Sequence, residues 1–223
     1  MTRSAPSDKP AAAAVRASGA APSRRESAAP AREGPGFWVF GYGSLMWRPG
    51  FDYLERRLAR LDGYRRAFAL RSVRYRGTPE RPGLVLGLDW APGAACIGMA
   101  FRVCPTQDGT VRDYLAGREL VTRSYFEVRH RVALMPEGED EAGPDDRGEA
   151  RVEAIAYVLD RTHPQYCGGL DPETQAEIIA VAVGPAGPNA EYLHNTAAHL
   201  AELGIRDPDL ERLDAAVRAR REA

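Results

Sequence analysis

Lysine is almost missing from this 223-residue chain: all but one of its 30 basic residues are arginine, and the exception is Lys9. That residue lies in a stretch with too few apolar side chains to fold. No lysine is left to cradle a phosphate in a P-loop, form a Schiff base or anchor a pyridoxal cofactor. Cysteine is scarce as well. Cys96, Cys104 and Cys167 form no CxxC pair and make an odd count, which points to a reducing, cytoplasmic compartment and not to a disulfide framework. The four histidines are scattered, and His194 and His199 stand five apart, not at the i, i+4 spacing of a helical metal pair. Neither a metal site nor a cofactor is expected. No apolar run approaches the ~20 residues that cross a bilayer, so no membrane partner is expected. Net charge is −1 with the arginines interspersed among acids, which leaves no general nucleic-acid surface.

Residues 1–36 are Ala, Pro, Ser and Arg with almost no large apolar side chain. Such a segment cannot offset the entropy of ordering and reads as a disordered tail. Its short alanine run is too small for a signal-peptide core, and a polar stretch follows Arg24-Arg25 where a twin-arginine signal needs an apolar one. Residues 37–223 are enough for a single domain with a sizeable core.

What the chain does have is a compact apolar run, Phe37-Trp38-Val39-Phe40, ending abruptly in Gly41-Tyr42-Gly43-Ser44-Leu45. This is the pattern of a buried strand that delivers the backbone to a site: glycine lets the main chain approach a ligand. Glycine also permits the left-handed angles that turn successive N–H groups toward one anion or oxyanion. A tight turn with Tyr42 in the core accounts for the same residues without a ligand.

Beyond that loop, the apolar spacing of 51–61 suggests a short helix or turn, and 64–73 a strand. Residues 84–88 and 96–103 read as two strands joined through a Pro-Gly turn at 89–95. A helix is expected over 107–121, then strands over 125–135 and 152–159 flanking an acidic, glycine-rich loop at 137–149. Asp171 followed by Pro172 marks a helix start. The run Gly184-Pro185-Ala186-Gly187-Pro188 stops that helix, and Asn189 is positioned to cap the next, which reaches 203–204. A last helix begins near Asp209. The fold class is α+β, with helices packed outside a closed sheet.

On the 107–121 helix, Val111, Tyr114 and Leu115 define a buried face, and Glu119 falls on it, four residues after Leu115. A carboxylate there is desolvated, which raises its pKa toward the range a general acid/base needs. Spacing equally allows Glu119 to pair at the surface with Arg118 or with Arg123 at i+4.

Four motifs stand in order: Phe40-Gly41-Tyr42-Gly43-Ser44-Leu45-Met46-Trp47; Arg76-Gly77-Thr78-Pro79-Glu80-Arg81-Pro82-Gly83; Tyr114-Leu115 with Arg118-Glu119; and Ala182-Val183-Gly184-Pro185-Ala186-Gly187-Pro188-Asn189-Ala190-Glu191-Tyr192-Leu193. Together they resemble the ChaC family of γ-glutamylcyclotransferases over about 38–213. The resemblance implies a small mixed β-barrel with peripheral helices and no cofactor. It implies cleavage of glutathione to 5-oxoproline and cysteinylglycine. Glu119 would be the catalytic residue, and Val39, Phe40, Gly41, Tyr42, Gly43, Ser44 and Leu45 would bind the γ-glutamyl group, with Tyr166 on the substrate side. The expected partner is a small-molecule substrate and the expected state a monomer. This chain departs from the pattern at Tyr75, where the family carries histidine, at Thr122-Arg123-Ser124-Tyr125, where a glycine is replaced, and at Cys167-Gly168-Gly169. Other γ-glutamyl compounds, or a non-catalytic binding role for the same fold, stay open at this point.

Overall fold

The computed structural model describes residues 36–120, 123–136 and 150–222; the expected tail and the 137–149 loop lie outside them, apart from Gly36. β1 (Phe37–Gly41) pairs antiparallel with β3 (Gly83–Val103) and parallel with β5 (Arg151–Leu159). β3 in turn pairs with β2 (Glu55–Ser72), and β4 (Tyr125–Leu134) bridges β2 to β5. Among the described residues these five strands close a barrel in the order β1-β3-β2-β4-β5, mixed because β1 and β5 run parallel.

Alternation along β1 explains how the barrel carries two cores. Successive strand residues face opposite sides. Phe40 joins the main core with Phe68, Leu88 and Phe101, whereas Val39 joins a second cluster with Val103, Ile155 and Tyr157. Onto that second cluster packs α1 (Asp108–Glu119), through Val111 and Leu115. Burying such side chains contributes roughly 1.5–3 kcal/mol each, which seats the helix that ends in Glu119.

The remaining helices, α2 (Pro172–Val181), α3 (Asn189–Glu202) and α4 (Pro208–Glu222), pack on one another and join the main core with Ile179, Leu193, Leu200 and Val217. α2 starts as its sequence signals: the Asp171 carboxylate accepts from the Thr174 N–H at 2.9 Å, with Pro172 in the first turn. Between α2 and α3, β6 (Val183–Gly184) and β7 (Gly187–Pro188) form a two-stranded ribbon.

Local spacing misreads three places. The 51–61 segment is not helical: β2 begins at Glu55, and Ala59 and Leu61 are buried on alternate positions, because pairing with β3 (Leu58↔Met99, Leu61↔Cys96) outweighs the local period. The two strands expected at 84–88 and 96–103 are one. The Pro-Gly signal survives as a register jump from Tyr64↔Trp90 to Asp62↔Ala95, with Gly63 and Gly93 both at positive φ. Asn189 does not cap α3; it is the helix's first residue, and its side chain is used elsewhere.

Candidate active site

β1 ends at Gly41, and the chain turns through Gly43 into a single 3-10 turn, Ser44–Met46, closed by the Met46 N–H donating to the Gly43 carbonyl at 2.9 Å. The loop owes its glycines to crowding and not to left-handed angles. Neither Gly41 nor Gly43 has a positive φ; a Cβ on Gly43 would meet Leu86 Cδ2 at 3.3 Å, and one on Gly41 would meet Leu45 Cβ at 3.0 Å. Arg66, a buried arginine of β2, holds the loop from behind. Its Nε donates to the Tyr42 carbonyl at 2.6 Å, and its Nη1 pairs with Asp207 at 2.7 Å.

Tyr42, Gly43, Ser44 and Leu45 line a cavity that opens to solvent. Glu119, from the last turn of α1, lines it too. Val85 and Leu86 of β3 contribute apolar wall, and the rings of Tyr125, Tyr157 and Tyr192 complete it. The expected ion pair of Glu119 exists, with Arg118 as partner: Arg118 Nε donates to Glu119 Oε1 at 3.1 Å. The same guanidinium donates to Ser44 Oγ at 2.7 Å, and through Nη1 to the Arg48 carbonyl and the Tyr114 hydroxyl, each at 2.9 Å. Arg118 thus ties the carboxylate to the glycine loop. The pair is not at the surface, since the Glu119 side chain is only 19% exposed. Burial pushes the Glu119 carboxyl above the usual carboxylate range, and the neighbouring Arg118 charge opposes that push without cancelling it.

The tyrosines stay protonated and serve as hydrogen-bonding groups. Burial raises Tyr42, Tyr125 and Tyr192, the last to about 12, and the Glu119 charge adds to each. Tyr125 donates to the Leu86 carbonyl at 3.0 Å, and Tyr157 to Glu127 Oε2 at 3.0 Å.

Not every residue singled out in the sequence meets here. Val39 and Phe40 are fully buried behind the loop and Gly41 is covered by Leu45; all three position the cavity without lining it. Tyr166 lies apart from the cavity walls. Its hydroxyl donates to buried Asp89 at 3.2 Å, beside Arg161, and its backbone bridges to Leu70. Conversely, Arg66, Tyr125 and Tyr157 carry no local signal for the site. Arg118 enters the sequence reading only as a surface ion-pair partner of Glu119, and Tyr192 sits inside a recognisable motif with no assigned role.

The second and fourth motifs turn out to be one structural knot. A Cβ on Gly77 would fall 2.1 Å from the Gly83 nitrogen, and one on Gly184 2.3 Å from the Tyr75 carbonyl, so these backbones touch only because all three are glycine. Arg76 Nη1 donates to the Pro188 carbonyl at 3.2 Å, and its guanidinium lies 5.3 Å from the Tyr192 ring centre. The knot therefore steadies both the β3 wall and Tyr192.

Among the described residues no group of three or more His, Cys, Asp or Glu is placed to hold a metal ion, and no described helix is long and apolar enough to cross a membrane. The barrel matches a yeast crystal structure titled as a γ-glutamyl cyclotransferase specific to glutathione, with a TM-score of 0.73 and 27% identity over 84% of this chain and 98% of that one. The fold is thus that of the γ-glutamylcyclotransferase-like barrels. A model of the ChaC-like protein family matches residues 37–220, and the chain belongs to that family. Its relatives include the glutathione-specific γ-glutamylcyclotransferases of Escherichia coli (35% identical, covering 81% of this chain and 72% of the relative) and Schizosaccharomyces pombe (34%, 81% and 92%). The γ-glutamylcyclotransferase 2-3 of Arabidopsis thaliana is 34% identical over 76% of this chain and 82% of its own.

Proposed function

We propose that this chain is a glutathione-specific γ-glutamylcyclotransferase, with Glu119 as its general acid/base and the Tyr42–Leu45 loop as the cradle of the γ-glutamyl group. The observation that carries the reading is a buried carboxylate, raised in pKa by burial, on the wall of the cavity that the glycine loop also lines.

The chemistry needs little more. The substrate's α-amino nitrogen attacks its own γ-carbonyl carbon, a five-membered lactam closes, and the bond to the cysteine nitrogen breaks. Nucleophile and electrophile share one molecule, so the protein's first task is to hold the folded-back conformer, an effect worth about 7–11 kcal/mol where geometry is ideal. The first N–H groups of the Ser44–Met46 turn lack intrahelical partners and suit the substrate's carboxylate or its developing oxyanion. The second task is proton transfer. The α-ammonium gives up two protons overall and the departing amine gains two, so a single carboxylate can shuttle them in turn and ends as it began. Such work typically supplies about 10²–10⁴-fold. Arg118 is a positioning residue: it fixes the rotamer of Glu119, and its charge favours the ionised form that accepts the first proton.

The reading extends to residues 37–223 working as one domain, as a monomer in the cytoplasm, without cofactor or nucleic acid; its support is the near-neutral charge and the reduced-cysteine pattern. The test is 5-oxoproline release from glutathione by the wild type beside Glu119→Gln. The variant is expected to fold and to lose at least about 10²-fold in turnover; comparable activity would remove Glu119 from the mechanism.

A further inference from the structure

A second cavity adjoins the first and shares Val85, Glu119 and Tyr125 with it. The two meet at the carboxylate that, on the cyclotransferase reading, hands a proton to the departing nitrogen. Whatever leaves must start at Glu119 and extend away from the glycine loop. The second cavity is the space that does so.

Its charge is lopsided. Arg71, Arg74 and Arg118 line it against the single acid Glu119, and Arg118 is already paired with that acid. Arg71 and Arg74 have no carboxylate partner among the described residues. Buried Arg66 is matched by Asp207 and half-buried Arg112 by Asp108, while half-buried Arg57 and Arg76 donate to the Met135 and Pro188 carbonyls. Arg71 is half-buried at the end of β2, with its backbone N–H donating to the Gln165 carbonyl at 2.8 Å. The titratable neighbour its charge acts on is the Cys167 thiol, which burial keeps protonated and neutral. A partly desolvated cation with no anion is costly to maintain and is resolved when an anionic ligand arrives. Leu70 and Val73 supply apolar wall beside it, and the Gln165 side chain supplies an amide.

We infer that this second cavity is the leaving-group subsite, and that Arg71 holds the terminal carboxylate of the departing dipeptide, with Arg74 adding to the local positive field. The inference rests on the cyclotransferase reading and deepens it. Specificity for a γ-glutamyl dipeptide over a γ-glutamylamine is set in this subsite, because an uncharged leaving group leaves the arginines unpaired. A fork of guanidinium donors suits a carboxylate better than a point charge does.

The test compares glutathione with its glycine carboxamide, which differs only in the terminal charge, by the ratio of the two kcat/KM values. In the wild type the ratio is expected to be about 10- to 100-fold in favour of glutathione, carried mainly by KM, as the loss of one charge-assisted contact implies. In Arg71→Gln it is expected to collapse toward one, and in Arg71→Lys, which keeps the charge but not the fork, to retain part of its value. A wild-type ratio near one overturns the subsite, as does an Arg71→Gln ratio equal to the wild type's. If 5-oxoproline release by the wild type fails with both substrates, the cyclotransferase reading falls and the subsite with it. If release proceeds and depends on Glu119 but ignores the terminal charge, only the subsite falls.

Discussion

Asn189→Ala is expected to cost this protein more stability than its position at a helix start suggests. The side chain is fully buried. Its Nδ2 donates to the Leu84 carbonyl at 2.7 Å, and its Oδ1 accepts from the Leu84 N–H at 2.6 Å. Asparagine thus acts as a one-residue strand partner on the edge of β3 that β2 leaves free, since in an antiparallel ladder both polar groups of a residue point the same way. Alanine strands a buried N–H and a buried C=O, each worth about 1–3 kcal/mol when unsatisfied, so the expected loss is about 2–6 kcal/mol. At about 2–4 °C per kcal/mol for a domain of this size, that is a drop in Tm of roughly 4–24 °C. Urea unfolding with an unchanged m-value is the assay. Asn189→Asp sharpens it. An ionised aspartate keeps the acceptor but turns its second oxygen on the Leu84 carbonyl, whereas a protonated one can donate there. Burial places the introduced carboxyl's folded pKa above its unfolded value, so its deficit is smallest below the unfolded pKa and grows as pH rises through the folded one. A loss under about 0.5 kcal/mol in the alanine variant would refute the reasoning, as would an aspartate deficit that does not change with pH.

Two further outcomes follow from the site. Arg118→Gln removes the charge that opposes the raised pKa of Glu119; since Glu119 must be ionised to take the first proton, the acid limb of kcat/KM is expected to move to higher pH, so that activity lost on the acid side is regained as pH rises. A profile scaled by one factor at every pH would contradict the positioning role. Arg123, just past α1, has φ +54; Arg123→Gly is expected to stabilise the fold by about 0.5–1 kcal/mol in thermal or urea unfolding, by relieving a left-handed non-glycine residue. A lower stability would show that the arginine side chain compensates for its backbone.

The departures from the family pattern take on meaning only in three dimensions. Tyr75 lines the second cavity and not the first. The 165–167 segment also lies on that side, with Gln165 in the cavity wall and Tyr166 engaged with Asp89. In the first cavity, Tyr42 to Leu45 with Glu119 keep the family motif. Of the departures, Tyr75 alone falls wholly on the second cavity; Tyr125 lines both cavities, and Cys167-Gly168-Gly169 lines neither.

The amino-acid sequence by itself determined a good deal. Apolar run lengths set β1 and most of the other strands, and Asp171-Pro172 set the start of α2, because those signals are local. Helical spacing alone placed Glu119 on the buried face of α1, since it depends only on 3.6 residues per turn. Tertiary structure decided what depends on partners distant in the chain. Pairing with β3 made a strand of 55–61, and Leu84, 105 residues away, drew Asn189 off capping duty. Packing against Leu86 and Leu45, not left-handed angles, explains why the loop is built of glycine. Spacing already offered neighbouring Arg118 as a partner for Glu119, but its burial and its tie to Ser44 came from packing. Which arginines are left to meet a substrate was beyond any spacing rule, because pairs such as Arg66 with Asp207 join residues far apart in the chain.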